Sequence, residues 1–298
     1  MPDKQYENLV FEGGGVRGVA YAGALKVLEE RDILPGISRV AGSSAGAFVA
    51  LLLSLGYSSD ELLEALHSLR FKTLEDKPNP VRIATHYGLY KGEVLYNWIA
   101  DQVTKKDLSL GVTFAELDKL GGRKLHVFAT DLSVRNVREF SATTTPDASV
   151  VGAVRASMSI PLMYAAWQFP NGIPDTHYYV DGGTVYNYPI NAFDDVDGAC
   201  KKTLGFCFEK LADNASANVH DISNLFDFAK GLFSTLLSAQ TIDFEQNPEQ
   251  LLRSVRIDDL GFKATDLELS DQACESLYQS GYLATRQFLE KRAGNASA

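Results

Sequence analysis

Long apolar runs are scarce in this 298-residue chain, paired cysteines are missing, and basic residues are outnumbered. The most apolar stretch spans residues 40–57. Its helical part, 46–55, is too short to cross a bilayer and reads as a helix buried inside the fold. Cysteine occurs three times, at Cys200, Cys207 and Cys274, with no CxxC spacing. That argues against a disulfide framework or a zinc site and favours a reducing compartment. No metal or other cofactor is expected. Lys and Arg total 28 against 38 Asp and Glu, for a net charge of −10. Such a surface disfavours nucleic acid as a partner. Four short basic pairs, such as Lys105 with Lys106, read as solvated surface charge. The first residues lack a basic stretch followed by an apolar run, so no signal peptide is expected. The protein is therefore expected in the cytoplasm, or exported without a cleaved signal.

What is present is ordinary globular composition, 45% apolar and 22% charged, enough for a sizeable core. The length suits one α/β domain, expected over 6–292, with a helical part from about 212 and a tail at 293–298. An alternating segment, 6–11, runs into three glycines and then a helical pattern over 19–31. A short strand at 38–41 leads into Gly-Ser-Ser-Ala-Gly and the buried helix. Strands alternating with helices predict a three-layer α/β/α fold around a mostly parallel sheet. Ser58 with Glu61, and Thr113 with Glu116, have the spacing of capping boxes. Residues 71–92 read as irregular because of Pro78 and Pro80. Further strands are expected at 125–130, 137–140, 178–180, 203–208 and near 254–257, and a last helix from Ser270.

Two glycine turns carry the chemistry. Residues 42–46 match G-x-S-x-G with Ser44 at the centre. A nucleophile on a tight strand-to-helix turn has strained dihedrals, and Gly42 and Gly46 remove the side chains that would collide there. The other turn is Gly13, Gly14, Gly15, Val16, Arg17 and Gly18. Read literally it satisfies the dinucleotide fingerprint G-x-G-x-x-G. That fingerprint also needs an acidic residue about 20 residues on, at the end of the second strand. Here the serine turn stands in that place. The loop's backbone N–H groups suit an oxyanion formed when Ser44 attacks an ester. Arg17 is expected to brace the loop.

A base is needed for Ser44. A hydrolase triad calls for a late histidine, and only His220 is clearly late, in a polar segment without a strand end. His177 precedes Asp181 on one strand, and four strand residues span about 13 Å, too far to share one hydrogen-bonded site. His126 sits within an apolar strand and reads as a core residue. Asp181 is the better candidate. It ends a strand and is followed by Gly182 and Gly183, which let the backbone turn sharply beside a reaction centre. Partial burial would raise its basicity.

Gly-Gly-Gly-Val-Arg-Gly, Gly-Ser-Ser-Ala-Gly and Asp-Gly-Gly, in that order, resemble the patatin-like phospholipases. Ala129-Thr130-Asp131-Leu132 and the segment 156–161 (ASMSIP) are similar to that family as well. The resemblance covers about residues 6–292. It implies a Ser–Asp dyad of Ser44 and Asp181, an oxyanion loop from Gly13 to Gly18, and a structural role for Asp131. It implies calcium-independent release of free fatty acid from phospholipids, peripheral contact with membranes, and room for an activating protein partner. A general carboxylesterase on short esters, or an idle binding or storage protein of the same fold, are the rival readings. Two segments bear on lipid access. Residues 71–90 read as a flap or a packed loop. Residues 222–242 carry an apolar stripe through Ile222, Leu225, Phe226, Ala229, Leu232, Phe233, Leu236 and Leu237, expected to pack on the core. A lipid-facing stripe is the sharper alternative.

Overall fold

The structure is a computed structural model that describes residues 6–67, 76–196, 198–209, 221–264, 266 and 269–295. Strands β1 (Asn8–Phe11), β2 (Arg39–Ser43) and β4 (Lys124–Asp131) alternate with helices α1 (Val19–Glu30), α2 (Ala45–Ser54) and α3 (Ser59–His67). Between α3 and β4 lie α4 (Pro80–His86), β3 (Gly88–Tyr90), α5 (Glu93–Thr104) and α6 (Phe114–Lys119). After β4 come β5 (Asn136–Phe140), α7 (Val150–Ser157), β6 (Leu162–Tyr164), β7 (Tyr179–Val180) and β8 (Thr203–Glu209). The chain ends in α8 (Leu225–Ser238), α9 (Pro248–Arg253), β9 (Ser254–Asp258) and α10 (Asp271–Asn295).

The main sheet has the order β5-β4-β2-β1-β8-β9, with β7 also paired to β4. β4, β2, β1, β8 and β9 run parallel, and β5 and β7 pair antiparallel with β4. The expected mixed α/β fold, a mostly parallel sheet flanked by helices, is the fold observed. Alternation along β1 divides the core. Leu9 and Phe11 join the large cluster formed with α1, α2 and α10. Val10 joins a smaller one with Ala41, Phe128, Tyr188, Ile190 and Phe193 on the other face. All ten residues of α2 are buried, because the helix packs on β2 and β4 and against α7. Apolar residues on every side of a helix are stable only there.

Both capping boxes form. Ser58 Oγ accepts from Glu61 N–H while Glu61 accepts from Ser58 N–H, and Thr113 and Glu116 do the same. The segment expected to be irregular is not uniformly so. Residues 71–75 lie outside the described residues, but Asn79 caps α4 by accepting from Val81 N–H. Pro80 then takes the first helical position, where a missing N–H costs nothing. β3 follows and pairs with β6. The last helix continues through residues expected to form a tail, to Asn295.

Arg155 is buried beneath this region. Its guanidinium donates to Gly92 O at 3.0 Å, Lys91 O at 3.2 Å and Ser159 Oγ, and lies over the Tyr164 and Trp167 rings. A buried cation is tolerated only when its donors are filled. Burial lowers its pKa to about 10. It pins Ser159, whose carbonyl accepts from Asp181 N–H at 2.8 Å.

Candidate functional site

Sheet topology brings Ser44 and Asp181 together. β2 lies beside β4 as far as Ser43, opposite Phe128. Beyond that point β7 takes the place beside β4 and runs the opposite way, with Val180 opposite Thr130. The residue after β2 and the residue after β7 therefore meet head to head. Ser44 Oγ donates to Asp181 Oδ2 at 2.7 Å, across 137 residues of sequence.

Ser44 adopts φ 52° and ψ −126°, a strained conformation for a residue with a side chain. The surroundings hold it there. Its N–H donates to Ser157 Oγ at 2.8 Å, and Ser157 Oγ donates to Phe128 O at 2.6 Å. A Cβ on Gly42 would strike the Gly46 backbone, and one on Gly46 would strike Phe11 O. The two glycines are thus required by close backbone approach on either side of the turn.

Asp181 is fully buried. Its Oδ1 accepts from Gly183 N–H at 2.8 Å, and its carbonyl accepts from Thr130 Oγ1 at 2.9 Å. Burial pushes its pKa up to about 7, although the bonds from Ser44 and Gly183 favour the charged form. A carboxylate so placed titrates near neutrality and can accept a proton from the hydroxyl it already holds.

The glycine loop flanks the same space. Gly13 N–H is engaged by Asn187 O at 3.0 Å, and Arg17 N–H by Gly14 O at 3.1 Å. The N–H groups of Gly14 and Gly15 have no partner among the described residues, and both glycines line the cavity beside Ser44. Gly13 and Arg17 spend their N–H groups on holding the loop's shape. Val16 and Gly18 form the short 3-10 turn that leads into α1. The Arg17 side chain braces the loop, donating to Gly14 O and Asp259 Oδ2 and stacking over Phe208.

No histidine among the described residues contacts Ser44 or Asp181. His177 bonds Asp131, His126 bonds Glu139, His67 lies beside Asp271, and His86 bonds Thr85. His220 lies outside the described residues. Asp131 holds a turn, accepting from Ser133 and Val134 N–H. One carboxylate oxygen each of Asp131 and Asp175 and a ring nitrogen of His177 fall within 4.8 Å of one another. They are engaged with each other and with Tyr179.

Helix α8 closes the site from above. The cavity lined by Ser44, Gly14, Gly15, Asn187, Phe233 and Leu237 measures about 10 Å³, roughly the space of one water. Gln240 locks the end of the helix down by donating to Gly183 O and accepting from Asn187 N–H. The stripe expected to pack on the core does so only in part. Ala229 and Phe233 are buried and Leu237 packs on the core, but Ile222, Leu225 and Leu232 are exposed. Phe228, outside that stripe, is exposed too. Residues four apart share one face, so the line 229, 233, 237 faces inward. Nothing is described for the Phe226 side chain.

Reading the sequence alone missed three supports: Ser157, Asn187 and Glu12. Ser157 lies within the ASMSIP stretch, and Asn187 follows the Asp-Gly-Gly turn by four residues. No local pattern marks either as a neighbour of Ser44. Glu12 is partly buried, accepts from Asn187 Nδ2 and Phe208 N–H, and has its pKa raised by desolvation.

With this geometry in view, likeness to known proteins is informative. The YqhO protein of Bacillus subtilis is 30% identical over 302 residues, 96% of this chain and 99% of that one. A probable lipid hydrolase, 463L, of Invertebrate iridescent virus 6 is 30% identical over 195 residues, 64% of each chain. Among solved structures, VipD from Legionella pneumophila superposes with a TM-score of 0.63 at 16% identity, over 96% of this chain and 67% of that one. ExoU from Pseudomonas aeruginosa, solved with SpcU, does so at 0.58 and 20% identity, over 96% of this chain and 52% of that one. At those identities the structural likeness shows the fold. The family model for patatin-like phospholipase matches residues 9–194, well over half of the chain, and the protein therefore belongs to that family of lipid hydrolases.

Proposed function

We propose that the protein is a phospholipase A-type acyl hydrolase that uses Ser44 as nucleophile and Asp181 as base. The observation that carries this reading is the 2.7 Å bond between the two side chains at the end of the parallel strands. Asp181 takes the Ser44 proton as Oγ bonds to the ester carbonyl carbon. The Gly14 and Gly15 N–H groups receive the oxyanion, a contribution of about 2.7–4 kcal/mol for one well-placed donor. Collapse breaks the ester C–O bond, and the departing alcohol takes the proton from Asp181. Water then cleaves the acyl-enzyme with Asp181 again as base.

The phospholipid preference draws on family membership, and product analysis tests it. Incubation with mixed phospholipid vesicles is expected to yield free fatty acid and lysophospholipid in equal amounts, unchanged by a calcium chelator. Cleavage of short soluble esters with vesicles left intact would make the protein a general esterase instead.

The one-water cavity cannot take an acyl chain, so α8 must shift for substrate to enter. Shortening its inward face should ease that step. Leu237→Ala is expected to raise kcat/KM on a short soluble ester by about three- to tenfold. An unchanged rate would mean that the helix does not gate entry. The outward residues Ile222, Leu225, Phe228 and Leu232 are suited to meet a lipid surface as α8 moves.

A further inference from the structure

Asn187 Oδ1 is a buried acceptor without a hydrogen-bond partner among the described residues, in a residue only 4% exposed. Such an atom calls for an explanation, because buried polar atoms are nearly always paired. Its amide cannot be turned round to remove the problem. Asn187 Nδ2 donates to Glu12 Oε1 at 2.9 Å and to Gly13 O at 3.2 Å, and a backbone carbonyl can only accept. Oδ1 is thereby the end left unpaired, in a residue that lines the cavity beside Ser44.

Two glycines locate what it faces. A carbon added to Gly183 would come 2.7 Å from Asn187 Oδ1 and 3.0 Å from Asp181 Oδ1. One added to Gly13 would collide with Asn187 Oδ1 and lie 3.1 Å from Ser44 Cβ. The orphaned oxygen is thus close to both reacting side chains. The cavity that Ser44 and Asn187 line together holds about one water. An unpaired acceptor beside a space of that size fits a single donor molecule, and water is the one the reaction consumes.

We infer that Asn187 positions the hydrolytic water that cleaves the acyl-enzyme, an assignment that rests on Ser44 and Asp181 forming the reacting pair. Once Ser44 is acylated, its Oγ has no proton to give, and Asp181 Oδ2 loses the donor it now has. Water fills that role. It donates one hydrogen to Asp181 and the other to Asn187 Oδ1, which leaves a lone pair directed at the acyl carbon. Its oxygen bonds to that carbon as its proton passes to Asp181. The carbon–Oγ bond then breaks, and the same proton returns to Ser44 Oγ as the fatty acid departs. Acylation uses no water, so Asn187 serves the second half of the reaction alone.

That division is what the experiment reads. Asn187→Ala and Asn187→Ser proteins are compared with the parent for labelling by a fluorophosphonate, for the burst with a p-nitrophenyl ester, and for the acyl-enzyme mass after mixing. The expected result is near-parental labelling and burst, with deacylation slowed by about tenfold to hundredfold, as for one lost hydrogen bond to a reacting group. An acyl adduct should then persist. Loss of labelling and turnover in parallel would assign Asn187 to loop structure and overturn the inference, as would unchanged deacylation. If both variants fail to fold, a high-resolution crystal structure of the parent protein decides the matter: a water within hydrogen-bonding distance of both Asn187 Oδ1 and Asp181 supports the role, and its absence ends it. A parent protein that neither labels nor turns over would instead remove the Ser44–Asp181 reading beneath it.

Discussion

Asp181→Asn protein at pH 8 is expected to lose fatty-acid release by at least about 10⁴-fold while resisting urea better than the parent. The first effect follows from chemistry: an amide cannot accept the Ser44 proton. The second follows from linkage. Burial raises the Asp181 pKa from 3.8 to about 7, so the folded state holds this proton more tightly than the unfolded state does. The protonated form's contribution to stability is complete below about pH 4. It is lost progressively as pH rises toward 7. At pH 8 the parent carries a buried charge that the asparagine variant lacks. A rise of about three units corresponds to a stability gap on the order of 2–4 kcal/mol. Urea unfolding at pH 8 and pH 4 checks the sign: the gap should be wide at pH 8 and closed at pH 4. The parent's kcat/KM should rise with pH up to about 7 and then level off. A variant less stable than the parent at both pH values would mean that the carboxylate is not strained by burial. A flat profile from pH 5 to 8 would remove it as the base.

Ser44→Ala is expected to lower hydrolysis by at least about 10⁴-fold and to abolish fluorophosphonate labelling outright. It should leave the fold intact, since alanine meets the same φ of 52° under the same Ser157 and Gly42 restraints. The two variants differ in what they retain. Asp181→Asn keeps the hydroxyl and should still label slowly with the reactive phosphonate. Ser44→Ala has no atom to label. Labelling that persists in Ser44→Ala, traced by mass to another residue, would move the nucleophile elsewhere. Stability separates them as well. Removing the hydroxyl leaves Asp181 Oδ2 without its donor, so Ser44→Ala should not share the gain at pH 8.

Most of the sheet was legible because each parallel strand carries its own local signature. β1, β2, β4 and β8 are short apolar runs, and glycine turns follow the first two. The capping boxes at Ser58 and Thr113 depend on side chains three residues apart, and both formed as expected. The stretch around Pro80 was misread for a reason of the same kind. Proline signals a break in a helical pattern, yet after Asn79 it occupies the first helical position, which tolerates it. The apolar stripe around α8 was visible, but its division into an inward line at 229, 233 and 237 and exposed residues at 222, 225, 228 and 232 was not. A helix with apolar residues on several faces does not declare which one the core will take.

By itself the sequence determined the two turns. Tight strand-to-helix geometry is decided by steric contacts among a handful of neighbours, and Gly42, Gly46 and the Gly13–Gly15 run record them directly. Tertiary structure decided that Asp181, a candidate in the sequence, meets Ser44, because that depends on β7 replacing β2 beside β4. It also decided that Gly13 spends its N–H on Asn187 and that the amide oxygen of this cavity-lining residue is left unpaired among the described residues. Hydrogen bonds that span more than a hundred residues are set by the order of strands in a sheet, and no local pattern encodes that order.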